Sequence, residues 1–294
     1  MINWKAPLPE IAFAMLQHLL PQHLLSSIAH RITRSRCPVI SRPVIRLLVR
    51  KFNIDLGLAE DPVLEHYPTI NTFFTRALRP DARPIDPSPD TWVSPADGVI
   101  SECGSINGDS LLQAKGQTFS LLTLLGGDEQ LAAQYADGSF TTIYLSPRDY
   151  HRLHMPLAGS LSSMSHIPGK LFSVNQATAN TIPSLFARNE RVIACFDTEA
   201  GPMALILVGA IFVGSIETVW HGEVTPPTRS DIRQWFYQGE ECLQLGKGEE
   251  MGRFNMGSTI IVLFGKDRAT LDEGLQAGSP VRMGERLGKV QGIS

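Results

Sequence analysis

Cysteine is scarce in this chain, and its placement argues against two kinds of site. The 294 residues contain only four cysteines, Cys37, Cys103, Cys195 and Cys242. They lie far apart and form no C-x-x-C pair, so the sequence indicates neither a zinc site nor a disulfide framework. We expect a protein of a reducing compartment that binds no metal.

Long apolar runs are also missing. The longest, MALILVGAIFVG, extends over twelve residues from Met203 to Gly214, whereas a helix needs about 20 to cross a bilayer. We interpret this run as a buried strand or hairpin. Pro7, Pro9 and Pro21 interrupt the apolar region near the N-terminus, and no small-residue cleavage site follows, so we expect no signal peptide.

The charge that is present is divided unevenly. The composition, 43% hydrophobic and 19% charged, is typical of a folded soluble protein. Residues 1–54 hold one acidic and eight basic side chains, a net charge of +7, and because the whole chain carries −3 the remainder carries −10. Such segregation indicates an anionic partner for the first segment, either a membrane surface or nucleic acid. The basic side chains are Lys5, Arg31, Arg34, Arg36, Arg42, Arg46, Arg50 and Lys51.

Helical periodicity marks most of this basic segment. IAFAMLQHLL, QHLLSSIAHRI and PVIRLLVRKF place apolar residues three and four positions apart, with Arg and His between them. One interpretation is a helical cap that packs its apolar stripes on the rest of the protein. The other is a set of helices that lie in a bilayer interface, which the large apolar faces favour. No zinc, RNP or helix-turn-helix signature supports nucleic acid.

The remaining chain divides into a connector and a β-rich part. Residues 55–90 contain a short helix at TINTFFTRAL and then RPDARPIDPSPD, whose prolines exclude regular structure. Residues 91–294 show short apolar runs between turn residues, a strand-and-turn pattern. We predict an α+β fold, in which amphipathic helices over 1–54 precede a β-rich domain of barrel-sandwich-like sheets with short helices over 91–294. The tail GSPVRMGERLGKV is interpreted as a further hairpin.

Three stretches could supply serine chemistry, which needs a base and an orienting carboxylate. RFNMGSTIIVLFG places Gly257 and Ser258 at the mouth of an apolar strand. SPRDYHRLHMP is the densest polar stretch of the β-rich part and holds His151 and His154, while SPADGVI places Asp97 before a glycine.

Each of these signals has an ordinary explanation. Asp-Gly is a common turn pair. Two histidines three residues apart indicate a metal only weakly without a third ligand. Gly-Ser occurs six times in the chain, so the dipeptide by itself carries little information.

Seven segments nevertheless form an ordered set: SPADGVI, LQAKGQTFSL, YLSPRDYHRLHMP, GKLFSVN, LFARNERVI, FDTEAGPMALILVGAIFVGSIETVW and EMGRFNMGSTIIVLF. Together they resemble the phosphatidylserine decarboxylases of the bacterial type, with a similarity that runs from about residue 65 to 265. At the key site the family usually has Leu-Gly-Ser-Thr, and this chain has Met256, a similar apolar residue, in place of the leucine.

The resemblance implies that the chain is a proenzyme. It would cut itself between Gly257 and Ser258 into a long chain, 1–257, and a short chain, 258–294. Ser258 would become a pyruvoyl group, which forms the Schiff base with the substrate and serves as the electron sink for decarboxylation. Ser215 also follows a glycine in an apolar run, but only the surroundings of Ser258 match the family's cleavage site.

The resemblance also implies roles for three more side chains. Asp97 and His154 would complete a self-cleaving triad with Ser258. His151 would lie by the substrate carboxylate or take part in proton transfer.

The function implied is conversion of phosphatidylserine to phosphatidylethanolamine and CO₂ at the cytoplasmic side of the cell membrane, to which the enzyme would bind peripherally. The implied partners are phosphatidylserine in an anionic membrane and the two cleaved chains themselves, as a heterodimer that exists alone or dimerises further, with no nucleic acid. Two alternatives remain open from the residues: a serine hydrolase that keeps Ser258, His154 and Asp97 as a reusable triad, and a non-enzymatic barrel-sandwich binding module.

Overall fold

The computed structural model describes residues 2–114, 116–212, 215–226, 231–239 and 242–292. The α-helices within these ranges are α1 (Leu8–Leu19), α2 (Gln22–Thr33), α3 (Pro38–Phe52), α4 (Ile70–Phe74), α5 (Leu121–Leu124), α6 (Glu129–Tyr135), α7 (Gln176–Thr181) and α8 (Leu185–Arg188). The strands are β1 (Thr91–Val93), β2 (Gly98–Ser105), β3 (Ser110–Ala114), β4 (Gln117–Ser120), β5 (Ser139–Tyr144), β6 (Arg152–His154), β7 (Gly159–Ile167), β8 (Arg191–Thr198), β9 (Gly201–Val208), β10 (Ile216–Thr218), β11 (Gly222–Glu223), β12 (Arg233–Phe236), β13 (Gln244–Leu245), β14 (Glu250–Phe254), β15 (Thr259–Phe264), β16 (Ala269–Leu271), β17 (Pro280–Val281) and β18 (Arg286–Val290).

The helices of the N-terminal segment form where the periodicity predicts them. Leu20 is extended because the ring of Pro21 disfavours helical backbone in the preceding residue, and this separates α1 from α2. α3 ends at Asn53, whose left-handed backbone (φ 51°) is a common helix C-cap conformation. Among the described residues, no helix is both long and apolar enough to cross a membrane.

A nine-stranded sheet forms the centre of the β-rich part. Its order is β12-β7-β8-β9-β15-β5-β2-β17, with β13 also paired to β7. Smaller sheets flank it, with the orders β11-β10-β14-β6, β1-β18-β16 and β3-β4. The predicted α+β, β-rich fold is confirmed.

β15 lies in the middle of the large sheet and pairs antiparallel with β5 on one side and β9 on the other. All six of its residues are buried. Strands that are covered on both faces read as continuous apolar runs, which is the pattern of TIIVLF. Of the apolar run from Met203 to Gly214, which the sequence predicts as a strand or hairpin, 203–208 belong to β9, 209–212 are not strand, and 213–214 lie outside the described residues.

The predicted hairpin in the tail is wrong. β17 pairs with β2, whereas β18 lies between β1 and β16. The chain between them is held by the segment that precedes β2, since the N–H of Gly284 donates to the carbonyl of Ser94 and the N–H of Ser94 donates to the carbonyl of Glu285. Each tail strand therefore finds its partner elsewhere in the fold.

The connector is joined to the β-rich part by specific contacts. α4 begins with a reciprocal capping box between Thr69 and Thr72, and it buries Phe73 and Phe74. Further along, the N–H of Asp86 donates to the carbonyl of Gly284. The proline-rich stretch lacks regular structure, as expected, but it is hydrogen-bonded in place.

Candidate active site

The Gly257–Ser258 bond lies at the entrance of β15, held by the ends of both neighbouring strands. The carbonyl of Ser258 accepts a 2.8 Å hydrogen bond from the N–H of Leu145, just beyond β5. Its hydroxyl donates to the carbonyl of Val208, the last residue of β9. Ser258 is fully buried, so this bond lies at the edge of the buried centre of the sheet.

Gly257 lies against His151. A Cβ atom built on Gly257 would be 3.2 Å from Nε2 of His151 and 3.1 Å from the carbonyl oxygen of Leu145. Both distances are tighter than ordinary van der Waals contact, so a side chain here would push the imidazole or the Leu145 carbonyl aside by a few tenths of an ångström. The imidazole thus reaches the backbone of the residue that precedes Ser258.

His151 is a neutral imidazole with one nitrogen free to accept a proton. Its Nδ1 is 2.7 Å from the carbonyl oxygen of Asp149. Because a carbonyl only accepts, Nδ1 carries the hydrogen and Nε2 the lone pair. Nε2 is buried without a partner. Burial lowers the pKa of His151 to about 3, so the ring stays uncharged at neutral pH.

His154 is engaged at both ring nitrogens. Nδ1 lies 2.8 Å from the carbonyl oxygen of Gly248 and so donates to it, and Nε2 accepts from the hydroxyl of Tyr150 at 3.2 Å. Burial lowers the pKa of His154 and raises that of Tyr150 to about 12. The Tyr150 hydroxyl therefore stays protonated and remains a donor to His154.

Asp97 forms a buried ion pair with Arg83. The guanidinium donates to both carboxylate oxygens, with Nε 2.8 Å from Oδ1. The side chains of Arg83 and Asp97 are only 10% and 9% exposed. Oδ1 also accepts from the N–H of Met283 at 2.9 Å. Asp97 does not hydrogen-bond to His154 in this arrangement; the closest link is the His154 N–H, which donates to the carbonyl of Pro95. The structure therefore leaves Asp97 without a hydrogen bond to His154 and gives it Arg83 and Met283 as partners.

An apolar cavity of about 350 Å³ opens next to Gly257. The N-terminal helices supply one wall with Phe13, Leu48 and Phe52. The other wall comes from α4 and the β-rich part, and it includes Phe74, whose ring meets that of His151 edge-on at 4.2 Å. The cavity thus connects the helical segment with the Gly257–Ser258 bond.

Comparison with known proteins identifies the family. The model of the phosphatidylserine decarboxylase family matches residues 70–289. The chain belongs to this family. A second model, described as PSD, matches residues 12–53.

Curated relatives of the family match nearly the whole chain. A protein of Nitrosococcus oceani is 54% identical over 94% of this chain and 90% of its own length. One from Methylococcus capsulatus is 54% identical over 96% and 98%, and one from Azotobacter vinelandii is 52% identical over 94% and 97%. Each is named phosphatidylserine decarboxylase proenzyme. As a member of this family, the chain is an enzyme.

Sequence reasoning missed two residues of the site. Tyr150 lies within the polar stretch that was singled out, but nothing there indicated that its hydroxyl would bond to His154. Arg83 comes from the proline-rich connector, 14 positions before Asp97. In the sequence, nothing distinguishes Arg83 from the other charged residues of this connector. A lone arginine that ends up buried beside a carboxylate gives no periodic signal.

Proposed function

We propose that this enzyme decarboxylates phosphatidylserine to phosphatidylethanolamine and CO₂, after it has cut itself between Gly257 and Ser258. The observation that supports the proposal is that three features lie together at the Gly257–Ser258 bond. A serine at the mouth of a rigid central strand, an unpaired imidazole nitrogen at the preceding glycine and an apolar cavity that ends at this glycine suit a self-processing enzyme with a lipid substrate.

In self-cleavage, the Ser258 hydroxyl oxygen attacks the Gly257 carbonyl carbon. The hydroxyl proton passes through a base to the Ser258 nitrogen, and the peptide C–N bond breaks to leave an ester. Elimination at residue 258 releases the Gly257 carboxylate. Water then displaces the nitrogen as ammonia, which leaves a pyruvoyl group at the start of the short chain. When present, this group supplies the electron sink that decarboxylation needs and that unmodified side chains lack.

The fold supports retention of the short chain after the cut. Residues 258–294 contribute β15, which is bonded on both sides by strands of the long chain, and β18, which lies next to β1. The new terminus would therefore stay where Ser258 is now, facing His151. We expect the two fragments to remain associated as a heterodimer.

The two histidines are assigned different tasks. We propose that His154, with Asp97, receives the Ser258 proton during self-cleavage. The three side chains share no hydrogen bond in the structure, so Nε2 of His154 must give up the Tyr150 hydroxyl and the Ser258 hydroxyl must leave the carbonyl of Val208. His151, whose free nitrogen opens towards the glycine that lines the cavity, would bind the substrate carboxylate or transfer the proton to the product. For either task Nε2 must first take up a proton, which the negative charge of a bound carboxylate favours. Replacing each by alanine tests this assignment: His154→Ala should stay intact, and His151→Ala should be cut but inactive. If instead His151→Ala stays intact and His154→Ala is cut but inactive, His151 is the base for self-cleavage.

The N-terminal segment supports peripheral membrane binding on the cytoplasmic side. Several of its large apolar side chains point to solvent, among them Leu8, Leu19 and Val39 at about 80% exposure. Its net charge of +7 adds attraction to an anionic leaflet of about 1 kcal/mol for each Lys or Arg close to the surface. Because Phe13, Leu48 and Phe52 line the cavity, a lipid could pass from the bilayer to Gly257 along this segment.

Denaturing gel electrophoresis and intact-mass measurement test the proposed function. We expect two fragments, with the short one beginning at residue 258 and resisting N-terminal degradation because it lacks an α-amine. Ser258→Ala should remain a single chain without decarboxylase activity. A single active chain with an unmodified Ser258 hydroxyl, labelled by a serine-reactive phosphonate, would instead support a serine hydrolase, and an intact unlabelled chain without activity would support a binding module.

A further inference from the structure

A buried hydrogen-bond network joins α2 to the segment that precedes the cut. Arg34, directly after α2, donates through the guanidinium nitrogen Nη2 to the Ser215 hydroxyl at 2.9 Å. The Ser215 hydroxyl also accepts from the side-chain amide of Asn255. Asn255 lies two positions before Gly257. An N-terminal side chain is thus two hydrogen bonds from the segment that carries the scissile bond.

The central members of this network are closed off from solvent. Ser215 is 2% exposed and Asn255 1%. The backbone reinforces the contact, since the N–H of Asn255 donates to the Ser215 carbonyl at 3.0 Å. Buried polar contacts of this kind fix one arrangement because an unpaired alternative is costly.

Glu223 holds Arg34 in position. Its Oε1 accepts from Arg34 and, at 2.9 Å, from His30 of α2. Burial alone would raise the pKa of Glu223, but hydrogen bonds from Ser215 and His30 and the charge of Arg34 bring it below its ordinary value. The Ser215 hydroxyl accepts from both Arg34 and Asn255, so it links the residue that follows α2 to the segment before the cut.

The segment that Asn255 belongs to needs this support. Phe254 is held by its N–H, which donates to the carbonyl of His151, and Ser258 by its carbonyl, which accepts from Leu145. Between these anchors, Asn255 is attached through Ser215. Met256 and Gly257 follow directly, so a shift of Asn255 would move the carbonyl that Ser258 must attack.

We propose that Arg34, Ser215 and Asn255 are positioning residues for self-cleavage, and that α2 acts through them as a brace for the Gly257–Ser258 bond. This inference rests on the proposed function. It gives the N-terminal segment a task beyond membrane contact, and it gives Ser215 a role that is not nucleophilic. A displacement of about 1 Å at a reacting centre lowers a rate by about 100-fold.

The test follows self-cleavage of freshly translated chains on a denaturing gel. Arg34→Met and Ser215→Ala should each slow the appearance of the two fragments by about 10- to 100-fold. The double variant should be no slower than the slower single variant, because the two residues act through one contact. Arg34→Lys keeps a donor and should recover most of the rate.

Two exposed positions serve as matched controls. Ser27→Ala removes a hydroxyl from α2 itself, and Arg268→Met removes an exposed guanidinium from the turn after β15. Both should cleave at the wild-type rate. Thermal melting of every variant is measured in the Ser258→Ala background, where all chains are intact, so that a loss of rate can be compared with a loss of stability.

The outcomes separate this inference from the proposed function. If the wild type is not cut at residue 257, or if Ser258→Ala is cut, the proposed function is wrong. If the wild type is cut and both Arg34→Met and Ser215→Ala match its rate, only the brace is wrong. Slow cleavage that follows a lowered melting temperature and is not rescued by Arg34→Lys would also overturn it, since the residues would then serve the fold alone.

Discussion

The helix α2 and the strand β15 bury opposite kinds of side chain. The buried residues of α2 are Gln22, Ser26 and Thr33, whereas Leu24, Ile28 and Ile32 are 44–59% exposed. Every residue of β15 is buried, and five of the six are apolar. An amphipathic helix on a globular domain normally turns its apolar stripe towards the core. In α2 that stripe faces outwards.

The contacts of the inner face explain how such a helix stays in place. The side-chain oxygen of Gln22 accepts from the N–H of Leu171 at 2.8 Å, and that of Gln17 in α1 accepts from the N–H of Ser173 at 3.0 Å. Polar side chains thus attach the helices, by specific hydrogen bonds, to the loop between β7 and α7. The apolar stripe stays exposed, as the proposed membrane binding requires and as a simple helical cap would not leave it.

The largest effect should come from a charge in the strand. Val262→Asp would place a carboxylate in the centre of the sheet, where Val262 has no exposed surface. Burying an unpaired charge should cost at least roughly 3–5 kcal/mol. We expect no soluble, folded chain, as judged by expression yield and circular dichroism. A stable Val262→Asp protein would contradict the central position of β15.

The same substitution on the helices should spare the fold and reduce membrane binding. Leu19 and Leu24 are 81% and 59% exposed. Aspartate at either position should leave the melting temperature unchanged but weaken co-sedimentation with phosphatidylglycerol-containing vesicles by roughly tenfold or more, because a buried leucine contributes about 1.5–3 kcal/mol. Val219→Asp, at a half-exposed site in the β-rich part, is the control and should bind as the wild type does.

Making the inner face of α2 more apolar should destabilise the protein. Gln22→Leu would leave the buried N–H of Leu171 without its acceptor, at a cost of about 1–3 kcal/mol in the free energy of unfolding. Gln130→Leu, on the exposed side of α6, should change it by less than about 0.5 kcal/mol. Denaturant unfolding in the Ser258→Ala background measures both. Equal stability of the two variants would mean that the inner face is not held by its polar contacts.

Acid should loosen α2 before it affects β15. The pKa of Glu223 is below its ordinary value of 4.5 in the folded protein, so its contribution to docking α2 is complete above pH 4.5 and is lost as the pH falls further through the lowered pKa. Hydrogen exchange, corrected for intrinsic rates, should show α2 losing protection at a higher pH than β15. Glu223→Gln should remove most of the difference between the pH values at which α2 and β15 lose protection.

Much of the fold could be predicted from the sequence because its signals are local. The 3.6-residue periodicity located α1, α2 and α3, and the continuous apolar run located β15. The prediction of a hairpin in the tail was wrong because glycine turns indicate where the chain changes direction, but not which strand the next strand pairs with. β17 and β18 pair with strands almost 200 positions earlier in the chain.

The site could be predicted only in part. Motifs in the sequence singled out Gly257, Ser258, Asp97 and the two histidines, and the structure places His151 at Gly257 and Asp97 near His154. The partner of each side chain depends on distant elements. Met283 reaches Asp97 from 186 positions further along the chain, and Gly248 reaches His154 from 94 positions further along.

By itself, the sequence determined which segments become helix or strand, where the charge lies and which serine stands at the mouth of a buried strand, because these properties follow from neighbouring residues. Only the tertiary structure decided that α2 turns its polar side inwards, that a carboxylate prefers an arginine to a histidine and that Arg34 reaches the segment before the scissile bond. Each of these outcomes depends on the burial and hydrogen bonding of groups that are far apart in the chain, and such groups meet only when the chain folds.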